Sequence, residues 1–247
     1  MGTRDDSNES RMTCARFMKP ETKEPQNQLF VDTFKDRGLT TLGMMSNQVW
    51  LDDPKRLAFV LSRYKFVAKL FSGMTNVLEV GCADAFGTRI VQQEVGQVVA
   101  SDFDPVFIND VVARIDPRWP LKAMVHDMVE GPLAESFDGV YAIDVLEHIP
   151  PANENRFIGN IAASLAPHGV CIVGSPSIQS QAYASQISKE GHINCKDAPG
   201  LKLLMARFFH NVFIFSMNDE VVHTGFYPLA HYLFAVACSK RERESAV

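Results

Sequence analysis

The sequence lacks a C-x-x-C pair, and its five cysteines (Cys14, Cys82, Cys171, Cys195 and Cys238) are scattered and odd in number. That excludes a disulfide framework and reads as the usage of a reducing compartment. No apolar run approaches the ~18 residues of a membrane span. The N-terminus is polar and acidic, unlike a signal peptide, so the expectation is a cytoplasmic protein with no membrane partner. A basic surplus is missing too. Lys plus Arg number 24 against 29 Asp plus Glu, a net charge of −5, which argues against a broad nucleic-acid footprint. There is no internal repeat, no linker and no sign of a second domain.

Two nucleotide motifs are also absent. The loop Gly81-Cys82-Ala83-Asp84-Ala85-Phe86-Gly87 has Ala83 and Phe86 where a dinucleotide fold needs glycines, and no G-K-[ST] follows to hold a triphosphate.

What is present is a chain of 247 residues, 46% apolar, enough for one core. Val77-Leu78-Glu79-Val80 leads into that small-residue loop and a helix-compatible stretch follows, the grammar of strand, tight turn and helix at a nucleotide site. A second strand, 97–101, ends at Asp102, roughly 20 positions beyond Glu79, a spacing that suits the two hydroxyls of a ribose. A lysine-free loop flanked by acids suits a cationic nucleoside without phosphates.

These residues, with Asp138-Gly139-Val140-Tyr141-Ala142-Ile143-Asp144-Val145-Leu146-Glu147-His148-Ile149, resemble the class I S-adenosylmethionine-dependent methyltransferases over residues 75–175. The family loop usually reads E-x-G-x-G-x-G, and this chain has Ala83 and Ala85 at the last two glycines. The resemblance implies S-adenosyl-L-methionine as cofactor and S-adenosyl-L-homocysteine as product. It assigns Glu79, Gly81, Cys82, Ala83, Gly87, Asp102, Phe103, Asp127, Met128, Asp144 and Leu146 to cofactor binding, with Asp127 reading the adenine amino group.

Periodicity places the remaining elements. Leu57, Val60, Leu61, Tyr64, Val67, Ala68 and Phe71 form one helical stripe over 54–71, opened by Asp52-Asp53-Pro54 as acidic cap and first-turn proline. Helices are expected at 87–95, 104–115, 153–165 and 197–209. Strands are expected at 76–80, 97–101, 121–125, 137–143, 170–174, 211–217 and 229–239, with 218–226 as a loop. The alternation predicts an α/β fold: a doubly wound, Rossmann-like seven-stranded sheet, mostly parallel, with an antiparallel terminal hairpin. The expected organisation is a flexible arm over 1–28, a helical cap over 29–74, the methyltransferase domain over 75–240 with a substrate-pocket insertion near 175–200, and a charged tail over 240–247.

Glu79, Asp102, Asp127 and Asp144 fall at strand ends, where ligands bind in such sheets. Methyl transfer to a hydroxyl requires help with its proton, which directs attention to His192 and His148, with His223 third. Trp50, Arg63 and Tyr64 precede the first strand, where relatives carry a lid, and are candidate substrate contacts. The leading reading is a small-molecule methyltransferase acting on oxygen, a monomer or homodimer. One alternative is a metal-dependent O-methyltransferase of the RNA or quinone-pathway type, with Asp144, Glu147, His148 and His192 around a divalent cation. The other is a non-catalytic binder of the cofactor.

Overall fold

A computed structural model describes residues 22–242 of the chain. Of the arm expected over 1–28, residues 1–21 lie outside the described residues, as do 243–247 of the expected tail. The chain divides between Thr41 and Leu42, inside the stretch expected to form one cap. The described part of the first unit holds a 3-10 turn, Pro25–Asn27, and helix α1, Gln28–Arg37, closed by Gly38 in the left-handed region at φ 69°.

The second unit opens with α2, Met44–Asp52, and α3, Pro54–Leu70. Proline at the first helical position of α3 brings its φ already set for a helix. The Asp53 side chain, expected as a cap, makes no capping bond, so the proline is the start signal.

The sheet then builds by alternation. Its strands are β1 (Asn76–Val80), β2 (Gln97–Asp102), β3 (Lys122–Val125), β4 (Phe137–Ile143), β5 (Leu165–Pro176), β6 (Phe209–Asn218), β7 (Val221–His223) and β8 (Tyr232–Lys240). Between them lie α4 (Thr88–Val91), α5 (Pro105–Arg114), α6 (Glu154–Ser164), α7 (Gln186–Gly191) and α8 (Ala198–Ala206). The strand order is β3-β2-β1-β4-β5-β8-β6-β7. Pairing is parallel from β3 through β5 and antiparallel from β5 to β7.

Among the described residues the sheet has eight strands, one more than expected. Val221–His223, expected within a loop, folds back on Ser216–Asn218 as a short edge strand. Three residues carry too little pattern for a period of two to be visible. The helix expected over 87–95 is one turn long. The Glu94 amide bonds to the Val91 carbonyl, and the Glu94 carbonyl accepts from Gly73, turning the chain back toward α3.

Side chains alternate across the sheet because strand periodicity is two. Leu78 and Val80 of β1 and Val140 and Ala142 of β4 pack under α6 and α8, against Phe157, Ile158, Ile161, Leu201 and Leu204. Val77, Val98, Tyr141 and Ile143 face the other way, against Tyr64, Val67, Ala68 and Phe71 of α3. Both faces are thus covered, as a parallel sheet demands. The order reverses between β1 and β4, which opens a crevice beyond their carboxyl ends.

Candidate active site

Glu79 is buried on the α3 face of β1. Thr88 Oγ1, in the first turn of α4, donates to Glu79 Oε2, while Oε1 makes no hydrogen bond of ordinary geometry among the described residues. The phenols of Tyr141 and Tyr64 face the same carboxyl, and burial pushes its pKa up to about 7, partly offset by these hydroxyls. Past Glu79 the loop turns sharply. Gly81 has φ 72°, and a Cβ there would come within 2.4 Å of Val145 Cγ2. Ala83 and Ala85 are also left-handed, at φ 47° and 52°. The two alanines therefore adopt the backbone that the family's glycines adopt freely. A Cβ at Gly87 would meet the Tyr64 ring at 2.4 Å, so the loop packs directly on α3.

Asp102 ends β2 and holds the loop from the side. Its Oδ2 accepts the Ala83 amide at 2.9 Å and its Oδ1 the Asp104 amide at 2.9 Å. Phe103, beside it, is 71% exposed, an open aromatic face at the crevice. Asp127 is exposed and accepts the Val129 amide through Oδ1. Met128 is buried, with its carbonyl bonded to Asn160. The Cys82 side chain packs against Ala100 and Ile108, and Leu146 is wholly buried in the core, so only their backbones can meet a ligand.

The lid side is built by an interaction that spacing does not reveal. Asp84, buried in the loop, accepts the Ser46 amide through Oδ2 at 2.6 Å and the Ser46 hydroxyl through Oδ1 at 3.2 Å. It satisfies an orphan donor at the N-terminus of α2 from a distance, the work of an N-cap. Arg114 Nη2 donates to the Asp84 carbonyl at 2.7 Å. Trp50 is 54% exposed on α2, whereas Tyr64 packs edge-on against Tyr141 at 6.2 Å between centroids.

At the end of β4, Asp144 is left-handed at φ 58°. Its Oδ2 pairs with Arg63 Nη1 of α3 at 2.5 Å, and the guanidinium lies 3.9 Å from the Tyr232 ring centroid. A 3-10 turn, Leu146–His148, follows. Glu147 there is wholly buried, and neither carboxylate oxygen makes a hydrogen bond of ordinary geometry among the described residues. Burial and the Asp144 charge hold its pKa well above the usual carboxylate range. His148 Nδ1 lies 2.9 Å from the Gly191 carbonyl, and His192 Nδ1 lies 2.9 Å from Gln181 Oε1. The two rings are 5.2 Å apart. Burial and the neighbouring His148 lower the His192 pKa, so it is neutral at pH 7. His223 stands apart on β7. Gly225 donates to its Nδ1 and its Nε2 bonds Asn218 Oδ1, leaving no lone pair for a substrate proton. Of the four residues expected around a cation, Glu147, His148 and His192 are brought together, while Asp144 is committed to Arg63.

Residues 77–169 match the methyltransferase domain family. Over those residues the chain is similar to a methyltransferase domain. A probable S-adenosylmethionine-dependent methyltransferase of Mycobacterium tuberculosis is 31% identical over 104 residues, 41% of this chain and 36% of that protein. A similar protein of Mycolicibacterium smegmatis is 29% identical over 104 residues, 41% of this chain and 38% of its own. The chain thus matches little over a third of the length of these relatives. Among solved structures, the N-methyltransferase NodS of Bradyrhizobium japonicum in complex with S-adenosyl-L-homocysteine superposes with a TM-score of 0.57 at 19% identity, over 76% of this chain and 90% of that one. A TehB-like methyltransferase of Corynebacterium glutamicum gives 0.60 at 15% identity, over 78% and 96%. These two similarities establish the fold.

The residues around Glu79 fit S-adenosylmethionine by their own polar atoms. Glu79 Oε1 is buried and makes no hydrogen bond of ordinary geometry among the described residues, and the small residues of the 81–87 loop leave its backbone open to close approach. Sequence reasoning missed Asp84, Thr88, Tyr141, Gln181 and Tyr232. Asp84 and Thr88 stand inside the motif and were within reach of it. Tyr232 and Gln181 reach the site from distant segments without any local signal.

Proposed function

We propose that the chain is an S-adenosylmethionine-dependent methyltransferase whose acceptor is a small molecule methylated on a hydroxyl oxygen. When bound, the cofactor supplies an already activated sulfonium methyl group. Glu79 and Asp102 would hold its polar edges, the 81–87 loop its methionine end, and Asp127 with the Met128 backbone its adenine. Phe103 offers an aromatic face beside them. Leu146 and Asp144 close the crevice from the β4 side, and the acceptor enters between α3 and the 175–200 segment.

The observation that carries this reading is the pair of imidazoles at the end of β4. Carbonyl oxygens accept and never donate, so the contacts to Gly191 and Gln181 place the proton on Nδ1 in both rings. Each ring therefore presents a bare Nε2 lone pair, and together these lone pairs govern the proton of a hydroxyl brought between them. Arg63, paired with Asp144, would orient the acceptor rather than take its proton.

Two measurements test the reading. Titration of S-adenosyl-L-homocysteine should show one site of micromolar affinity or tighter. In an acceptor screen that yields turnover, His192→Gln and His148→Gln should each lower kcat by about 100-fold or more with the cofactor affinity unchanged. Wild-type turnover in both variants would sink the role of the imidazoles.

A further inference from the structure

We infer that the cavity between the end of α4 and the start of β3 is a second ligand site, one that takes a nucleoside monophosphate. It lies at the amino ends of β2 and β3, at the other end of the strands from the crevice, and does not depend on the function proposed above.

The cavity has a volume of about 570 Å³, within the range of small-molecule sites. Gln92 at the end of α4, Gln97 at the start of β2, and Arg118, Trp119 and Lys122 around the start of β3 line it. Each supplies one part of the ligand's recognition.

Trp119 supplies a stacking surface. It is 49% exposed, and the Arg89 guanidinium lies 3.6 Å from its ring centroid. Arg89 does not line the cavity, so it backs the indole from the far side. An open indole held in place by a guanidinium is a platform for a planar base.

The charge is of one sign. Two of the lining residues are cations and none is a carboxylate, in a chain of net charge −5. Arg118 pairs with Asp116, and Lys122 with Glu135 at 2.8 Å. Both carboxylates stand outside the lining, and exposed pairs of this kind are weak, so a ligand phosphate draws the two cations inward at little cost. Arg89 adds a third positive charge beneath the ring. Its Nη1 is buried and makes no hydrogen bond of ordinary geometry among the described residues.

The two amides supply an edge. Gln92 Nε2 donates to the Pro120 carbonyl at 3.2 Å, and Gln97 Nε2 to Asn76 Oδ1 at 2.8 Å. Each amide keeps its oxygen and a second N–H, which match the mixed donors and acceptors of a nucleobase edge. A nucleoside without phosphate, or phosphate alone, uses only half of this set.

The test uses the full chain and inosine monophosphate as probe. The chain has two tryptophans, so in a Trp50→Phe background the quenching of fluorescence reports on Trp119. The expected result is one site of submillimolar affinity, unchanged by saturating S-adenosyl-L-homocysteine and weakened by added salt. Inosine and inorganic phosphate should each bind at least about 5-fold more weakly. Arg118→Gln and Lys122→Gln should each weaken the probe to a similar degree, while Lys202→Gln on α8 leaves it unchanged. Trp119→Leu, read by equilibrium dialysis, should weaken it at least about 5-fold. Circular dichroism checks that each variant is folded, and the two exposed cation variants carry the test if Trp119→Leu does not fold. No binding at millimolar probe, equal binding of inosine or phosphate, or undiminished binding in the cation variants overturns the site. Competition by S-adenosyl-L-homocysteine would place the probe in the crevice and overturns it as well.

Discussion

Arg63 on α3 and Asp144 at the end of β4 are joined by an ion pair of 2.5 Å, and the Tyr232 ring lies under the guanidinium. Three distant segments therefore meet at the point where the sheet opens. Arg63→Ala should destabilise the protein by about 2 kcal/mol, less than for a fully buried pair because the Asp144 side chain is 33% exposed. Arg63→Lys should restore part of this, since an ammonium cannot reproduce the flat stack on Tyr232. A double-mutant cycle with Asp144→Asn, read by urea denaturation, checks it. A coupling energy near zero would show the contact to be incidental.

Asp84 tethers α2 to the loop after β1. Asp84→Ala should cost about 1–2 kcal/mol, the loss of a capping acceptor with its amide left unsatisfied. Amide exchange is the sharper readout. Protection in residues 44–52 should fall more than in α6, and uniform loss over the whole domain would refute a local tether.

Glu79 is raised to about 7 by burial, against 4.5 for an exposed glutamate. Between those values the folded state keeps a proton that the unfolded state has released. Stability of the cofactor-free protein should therefore fall as pH rises from about 4.5 to 7, by roughly 3 kcal/mol from this group, and level off above. Glu147 acts in the same direction, so Glu79→Gln should flatten the slope without abolishing it. The check is the urea midpoint against pH for wild type and variant, and identical slopes would contradict the argument.

Ala83 and Ala85 sit in a left-handed conformation that costs an L-residue roughly 1–2 kcal/mol. Ala83→Gly and Ala85→Gly should each stabilise by about 0.5–1 kcal/mol after the larger unfolded-state entropy of glycine is subtracted. For a domain of this size that is a Tm increase of about 1–3 °C. A lower Tm in both variants would mean that the methyl groups contribute packing that outweighs the backbone strain.

Several residues of the candidate site stand out in the sequence. Asp102 and Asp144 stand out because a buried parallel strand is a near-unbroken apolar run, and an acid at its end is conspicuous, while Glu79 stands out as an acid within such a run. His148 is legible for the same reason, standing just past β4. The roles of these residues were less so. His223 and His192 look alike in sequence, yet one has both nitrogens bonded within its own hairpin and the other offers a free lone pair. Hydrogen-bond partners several residues away in an irregular segment leave no periodic trace.

By itself the sequence determined the α/β class, the strand alternation and the row of acids at the strand ends. These follow from local patterning, with a period of two in strands and 3.6 in helices. Only the tertiary structure decided that Arg63 meets Asp144, that Asp84 caps α2, and that Glu147 is buried beside two oriented imidazoles. Each of these is a long-range relation. It depends on how the sheet twists and where α3 and the 175–200 segment come to rest, and no local stretch of sequence encodes that position alone.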